Sequence, residues 1–241
     1  MWCVIIPTYN NAGTIRRVVD DVRRYTSYII VVDDGCTDDT AARLADTDVT
    51  LVRHAHNCGK GRALQSGFRR ALSAGFDWAV TLDADGQHFA DDIPALVEAA
   101  EQCPGCLVVG SRNLSAEGMP ARNTFANRFS NFWFWVQTGL RLPDTQTGFR
   151  LYPLQRMGRL RWLTARYEAE LAMLVHAAWR GIPLVPVPVR VYYPPEGERV
   201  THFRPVWDFV RISLLNTWLC VLAVVYGHPA RLLRAVLRKK R

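Results

Sequence analysis

No Gly-x-Gly-x-x-Gly follows the first apolar run of this 241-residue chain; Pro7-Thr8-Tyr9-Asn10 stands there instead. That absence excludes the glycine turn on which nicotinamide enzymes carry a pyrophosphate. The glycine-rich, arginine-containing loop of a sugar-nucleotide pyrophosphorylase is also missing after Ile6. Asn57-Cys58-Gly59-Lys60-Gly61 contains Gly-Lys-Gly but not the full Walker spacing. The six cysteines follow no disulfide rhythm, and the tight pair Cys103-Pro104-Gly105-Cys106 has no second pair to complete a structural zinc site. A reducing cytosol is the expected compartment. No charged leader and long apolar region precede the first strand, so the chain is expected to stay on the cytoplasmic side. The least interrupted apolar stretch, Ile212 to Tyr226, is shorter than the roughly 20 residues that usually cross a bilayer.

Hydrophobic residues make up 49% of the chain, enough for a sizeable core. The net charge of +8 is uneven: Arg231 to Arg241 holds six Lys and Arg and no acid. A basic end beside a Trp-bearing apolar helix points to an anionic membrane surface rather than to nucleic acid. The expected organisation is one α/β domain over 1–205, followed by a membrane-associated helix and basic tail over 206–241.

The informative polar residues sit where apolar runs stop. Trp78-Ala79-Val80-Thr81-Leu82 delivers Asp83-Ala84-Asp85-Gly86-Gln87-His88, Tyr28 to Val32 delivers Asp33-Asp34-Gly35, and Cys3 to Ile6 delivers Pro7 to Asn10. Helical spacing separates these runs, as in Ile15, Val18, Val19 and Val22. Parallel α/β sheets bind ligands at the carboxyl ends of their strands, so the three clusters are expected on one edge. Two carboxylates around one small residue form a hard-oxygen clamp suited to Mg²⁺ or Mn²⁺ on a phosphorylated ligand. Lys60, at a helix start, suits a phosphate. Arg112, after the strand Leu107 to Gly110, has the forked guanidinium that phosphate recognition favours.

Further helices are expected over Thr37 to Ala45, over Asp91 to Cys103 and over Tyr167 to Trp179. From Met119 to Gly139 the sequence turns aromatic, with Arg122 and Arg128 interleaved. A core helix accommodates Phe125, Phe129 and Phe132 on one face but not Trp133, Phe134 and Trp135 together, so some of these are expected to face lipid or a lipid-like substrate. The proline-punctuated segment Ile182 to Val191 suits an edge strand. The helix Val206 to Tyr226 is expected to lie in the interface, with Trp207 and Trp218 near the headgroups. His202, just before it, is expected to pack or cap.

The ordered set Ile5-Ile6-Pro7-Thr8-Tyr9-Asn10, Asp33-Asp34-Gly35-Cys36-Thr37-Asp38, Asn57-Cys58-Gly59-Lys60-Gly61, Asp83-Ala84-Asp85-Gly86-Gln87-His88, Gly110-Ser111-Arg112 and Asp144-Thr145-Gln146-Thr147-Gly148-Phe149-Arg150 resembles family 2 glycosyltransferases. More closely, it is similar to their dolichyl or polyprenyl-phosphate mannose synthase branch, over about residues 3 to 195. Two positions depart from that pattern: Asn11 stands where an acid is frequent, and Cys36 where serine is usual.

The resemblance implies a GT-A fold, a GDP- or UDP-sugar donor, a divalent cation and inversion at the anomeric carbon. It assigns Pro7, Tyr9 and Asp34 to the nucleoside, Asp83 to ribose and diphosphate, and Asp85 and Gln87 to the metal. Arg112 would meet an acceptor phosphate, helped by Arg122 or Arg128. An ionised polyprenyl phosphate needs alignment rather than a strong base. A hydroxyl acceptor would instead need a carboxylate, for which Asp144 and Glu170 are the candidates.

Overall fold

Alternation along the first strand divides the molecule into two cores. Cys3 and Ile5 face one apolar cluster, Val4 and Ile6 the other, and all four are fully buried. A strand covered on both faces must be apolar at every position, the pattern of an α/β sheet interior. The computed structural model describes residues 1–113, 121–157, 168–193 and 205–239.

Among these residues, one seven-stranded sheet comprises β1 (Trp2–Thr8), β2 (Ile29–Asp33), β3 (Thr50–Arg53), β4 (Trp78–Thr81), β5 (Leu107–Arg112), β6 (Arg150–Pro153) and β7 (Leu184–Val189). Their order is β3-β2-β1-β4-β6-β5-β7. β6 runs antiparallel to β4 and β5, and the other pairings are parallel. The beginning of β6 therefore lies at the edge where β4 and β5 end, with Thr81 opposite Arg150. This is the mixed α/β sheet of a GT-A-like fold. The proline-rich β7 occupies an outer edge, where missing N–H donors cost least.

Helices α1 (Ile15–Arg23) and α3 (Ile93–Gln102) cover the Val4 and Ile6 face. On the opposite face lie α2 (Lys60–Ser73), α4 (Ala121–Thr138), α5 (Leu154–Met157), α6 (Glu168–Trp179) and α7 (Pro205–Leu222). A π turn, Ala223–Gly227, joins α7 to α8 (His228–Lys239).

Three local expectations are corrected. The helix expected over Thr37 to Ala45 shrinks to a 3-10 turn, Ala42–Leu44. Asp38 accepts from Thr40 N and Oγ1 and from Ala12 N, local bonds that compete with a helical turn. In α4 the face expected in the core lies outside: Phe125, Phe129 and Phe132 are exposed, while Phe134 is fully buried with Asn127, Gln137 and Thr138; Trp135 is exposed, as expected. The C-terminal apolar helix continues through the π turn, so Ile212–Arg234, 23 residues with mean hydropathy 1.3, is long and apolar enough to cross a bilayer. One face of it nevertheless packs on the domain through Leu215, Leu219 and Ala223, and buried Asn216 accepts from Gln137 Nε2 at 2.9 Å.

Candidate active site

The polar clusters converge at the edge where β1, β2, β4 and β5 end. Pro7 is buried within β1, and Tyr9 follows the strand half-buried. Asn10 takes a left-handed φ of 54°, tolerable for Asn because its short amide bonds locally; here Oδ1 accepts from Thr37 N at 2.8 Å.

Asp34 is only 3% exposed and its carboxylate is held by three internal contacts. Oδ1 accepts from Cys58 N at 2.9 Å and pairs with His54 Nδ1 at 2.7 Å; Oδ2 accepts from Gly59 N at 2.7 Å. Gly35, with φ +76°, lets this turn meet the His56 backbone, where a Cβ would overlap it. In this arrangement Asp34 pins the loop that opens α2.

Lys60 lies between two acids rather than facing open space. Its Nζ donates to Asp83 Oδ1 at 2.7 Å and to Glu170 Oε2 at 2.9 Å. Burial opposes the ammonium, but Asp83 and Glu170 outweigh it and raise the lysine's pKa. The Asp83 carboxyl, also opposed by burial, is held below its usual range by Lys60. Gly148 is what allows the pair to sit there, because a Cβ would come within 2.6 Å of Asp83 Oδ2 and 2.8 Å of Lys60 Nζ. Among the described residues, the buried Glu170 Oε1 has no hydrogen-bond partner.

Asp85 behaves oppositely to Asp83. Burial, then the charge of Asp83, pushes its carboxyl up to about 6. Gln87 N donates to Asp85 Oδ1 at 3.0 Å. An anion destabilised in this way is a hard-oxygen donor that a divalent cation would relieve, so Asp85 fits Mg²⁺ or Mn²⁺. His88 follows, its imidazole driven down to about 4 by burial and hence neutral, with no hydrogen-bond partner for Nδ1 among the described residues. The loop is held from outside: Tyr192 N donates to Gln87 O at 2.8 Å, and Arg190 donates from N and Nη2 to Asp92, each at 2.7 Å.

Asp144, fully buried, receives Arg112 Nε at 2.6 Å on Oδ2, and Arg112 Nη2 at 3.0 Å, Asn127 Nδ2 at 2.6 Å and Gln146 N at 3.0 Å on Oδ1. Burial raises its pKa, but Arg112 and the other donors overcome this and lower it. A carboxylate so engaged is a weak base, contrary to what its loop position alone admits. Arg128 lies exposed on α4, whereas the side chain of Arg122, the Trp207 side chain and His202 fall outside the described residues.

Sequence reasoning gave no role to three neighbours. Arg150, fully buried at the start of β6, donates to Thr145 O at 2.9 Å and Glu170 O at 2.9 Å, joining the Asp144 loop to α6. Asn127 and His88 are the others. His88 adjoins the Asp83 motif and was legible from it; nothing in sequence links Asn127 to Asp144.

The model for Glycosyl transferase family 2 matches residues 3–155. The UDP-N-acetylglucosamine–dolichyl-phosphate N-acetylglucosaminyltransferase of Methanococcus voltae is 29% identical over 213 residues, covering 79% of this chain and 85% of that protein. The undecaprenyl-phosphate mannosyltransferase of Micrococcus luteus is 32% identical over 203 residues, covering 77% and 81%. In three dimensions the chain is similar to glucosyl-3-phosphoglycerate synthase from Mycobacterium tuberculosis in complex with Mn²⁺, UDP and phosphoglyceric acid. That match has a TM-score of 0.69 at 20% identity and covers 92% of this chain and 78% of that one.

Proposed function

We propose, from the premise that this chain belongs to glycosyl transferase family 2 and is a glycosyltransferase, that it transfers a hexosyl unit from a nucleoside-diphosphate sugar to a polyprenyl-phosphate lipid, with inversion and divalent-metal dependence. The single observation that carries the acceptor class is that both candidate bases are already paired with cations, Asp144 with Arg112 and Glu170 with Lys60. A hydroxyl acceptor needs a base to take its proton. A phosphate oxygen is ionised near neutral pH and needs only to be aligned. The acceptors named for the Methanococcus and Micrococcus relatives support the same choice.

In this reading Pro7, Tyr9 and Asp34 hold the nucleoside, with uridine favoured over guanosine by the UDP in the names of one relative and one structural neighbour. Asp83, fixed by Lys60, positions ribose and diphosphate. Asp85 and Gln87 would hold Mg²⁺ or Mn²⁺, which supplies charge neutralisation at the departing diphosphate. Arg112, oriented by Asp144, receives the acceptor phosphate together with Arg128 and Arg122. The phosphate oxygen attacks the anomeric carbon opposite the leaving diphosphate, inverting it.

The enzyme works at the cytoplasmic membrane face as a peripheral or monotopic protein, with residues 206–241 as the attachment. Support comes from the exposed apolar residues Leu214, Trp218, Val224 and Val225 on the outer side of this segment, and from the free state of all six cysteines. Because its inner face is sealed on the domain, the helix lies in the interface rather than spanning it alone.

The test is transfer from a panel of UDP- and GDP-sugars, with Mn²⁺ or Mg²⁺, to a short polyprenyl phosphate and to the corresponding polyprenol, followed by mass and anomeric configuration of the product. Glycosyl phosphate of inverted configuration, lost with EDTA, is expected. Equal transfer to the polyprenol would overturn the acceptor assignment.

A further inference from the structure

Where β3 passes into α2, three side chains of different ligand chemistry converge. A carboxylate oxygen of Asp34, a ring nitrogen of His54 and the sulfur of Cys58 all lie within 4.8 Å of one another. Asp34 and His54 already touch at 2.7 Å. The Asp34 side chain is 4% exposed and that of His54 15%, and Cys58 is half-buried, so the cluster is sheltered yet reachable from solvent.

We propose that Asp34, His54 Nδ1 and Cys58 Sγ form a site for a thiophilic divalent cation of the Zn²⁺ class, distinct from the Mg²⁺ or Mn²⁺ held at Asp85. One thiolate, one imidazole and one carboxylate make a borderline-soft set that selects Zn²⁺ over Mg²⁺, with a fourth position left for water. A tetrahedral ion with bonds of about 2.0 Å to nitrogen and about 2.3 Å to sulfur needs its ligand atoms about 3.3–3.8 Å apart. The cluster reaches that with a small opening of the Asp34 to His54 contact and an inward turn of Cys58 Sγ, which now lies within 4.8 Å of both. Cys58 Sγ must also leave the His56 carbonyl, which it now meets at 3.3 Å.

A supporting contact is already in place: His54 Nε2 lies 2.9 Å from Ser66 Oγ. At 2.7 Å from the Asp34 carboxylate, Nδ1 now carries the ring proton and Nε2 accepts from the Ser66 hydroxyl. Once that proton moves to Nε2, the Ser66 oxygen accepts it and holds the tautomer whose Nδ1 lone pair faces the ion, the outer-shell partner that metal-bound histidines regularly have. On binding, the Cys58 thiol releases its proton to solvent as the zinc–sulfur bond forms, and the imidazole proton passes from Nδ1 to Nε2 by exchange with solvent, leaving the Nδ1 lone pair to the ion. No oxidation state changes. The consequence for turnover rests on the proposed nucleoside role of Asp34: an ion on its carboxylate withdraws it from the donor, making Zn²⁺ an inhibitor competitive with nucleotide sugar.

Co²⁺ added to the purified full chain is the probe, read as the thiolate-to-cobalt charge-transfer band. The band should appear, bleach with stoichiometric Zn²⁺, persist in Cys36→Ser and in the Cys103→Ser/Cys106→Ser pair, and vanish in Cys58→Ser. Serine at 58 keeps the backbone N–H bonded to Asp34, so folding and basal turnover should be unchanged, while Zn²⁺ sensitivity falls about tenfold or more. Absence of a band, or a band surviving Cys58→Ser, overturns the site. A band that depends on Cys58 without competition against donor upholds the metal site and overturns the nucleoside role of Asp34, so the two assignments fail separately.

Discussion

Arg112 and Asp144 meet as a planar fork, Nε to Oδ2 at 2.6 Å and Nη2 to Oδ1 at 3.0 Å, with the carboxylate fully buried. This geometry makes Asp144 the orienting partner of a cation. Asp144→Asn should lower stability by about 3 kcal/mol, the scale for breaking a buried pair from one side. It should also raise the acceptor KM more than the donor KM, because Arg112 loses its plane. Arg112→Lys keeps the charge but not the fork and should repeat the kinetic split. Chemical denaturation and two-substrate kinetics check both; a loss confined to kcat, with a shifted pH profile, would return Asp144 to the role of base.

The paired and unpaired acids give opposite pH signatures. Asp33, Asp83 and Asp144 are held below the usual carboxylate range despite burial, by Cys36 and Arg53, by Lys60 and by Arg112 respectively. Their contribution to stability is complete above about pH 4, the unfolded-chain value, and is lost as pH falls through the folded values. Asp85, raised to about 6, has the reverse sign: its contribution is complete below about pH 4 and is lost as pH rises through 6. Mn²⁺ with a nucleoside diphosphate should therefore raise the melting temperature more at pH 7 than at pH 5. Asp85→Asn should abolish that difference, and an equal shift in the variant would remove Asp85 from the metal site.

Much of this site was legible because its strands are buried on both faces. β1, β2 and β4 are uninterrupted apolar runs, and their ends announce Pro7, Asp34, Asp83 and Asp85. β6 was not legible: it begins with a charged residue, Arg150, whose burial is made tolerable by Thr145 O and Glu170 O, acceptors supplied by other segments. The Lys60 to Glu170 pair is hidden for the same reason, since no sequence pattern brings α2 and α6 together. The aromatic richness of α4 misleads in the other direction. Its buried stripe contains Asn127 and Gln137, polar residues matched by Asp144 and Asn216, leaving most of its rings outside.

Gly148→Ala tests the Lys60 and Asp83 pair without touching either residue. The added methyl would lie 2.6 Å from Asp83 Oδ2, and neither partner is free to yield because Lys60 is also tied to Glu170. Turnover should fall on the order of a hundredfold, the cost of a misplacement near 1 Å, with circular dichroism unchanged. Wild-type activity would mean that the exact position of Asp83 does not matter.

The membrane reading is best tested on side chains that the core does not use. Removing everything after Pro205 would also strip Leu215, Leu219 and Ala223 from the core and confound binding with unfolding. Leu232 and Leu233 on α8 are instead exposed, 68% and 61%, and lie among the basic residues Arg231, Arg234 and Arg238. Insertion of the leucines and attraction of the charges, roughly 1 kcal/mol for each near an anionic surface, should act together. The Leu232→Asp/Leu233→Asp variant should fail to co-sediment with anionic vesicles at low salt and lose activity on long-chain lipid, yet retain it on a short water-soluble acceptor. High salt should weaken the wild type in the same direction. Co-sedimentation indifferent to the substitutions, to salt and to anionic lipid would sink the attachment and leave the exposed Phe125, Phe129, Phe132 and Trp135 of α4 as the membrane contact.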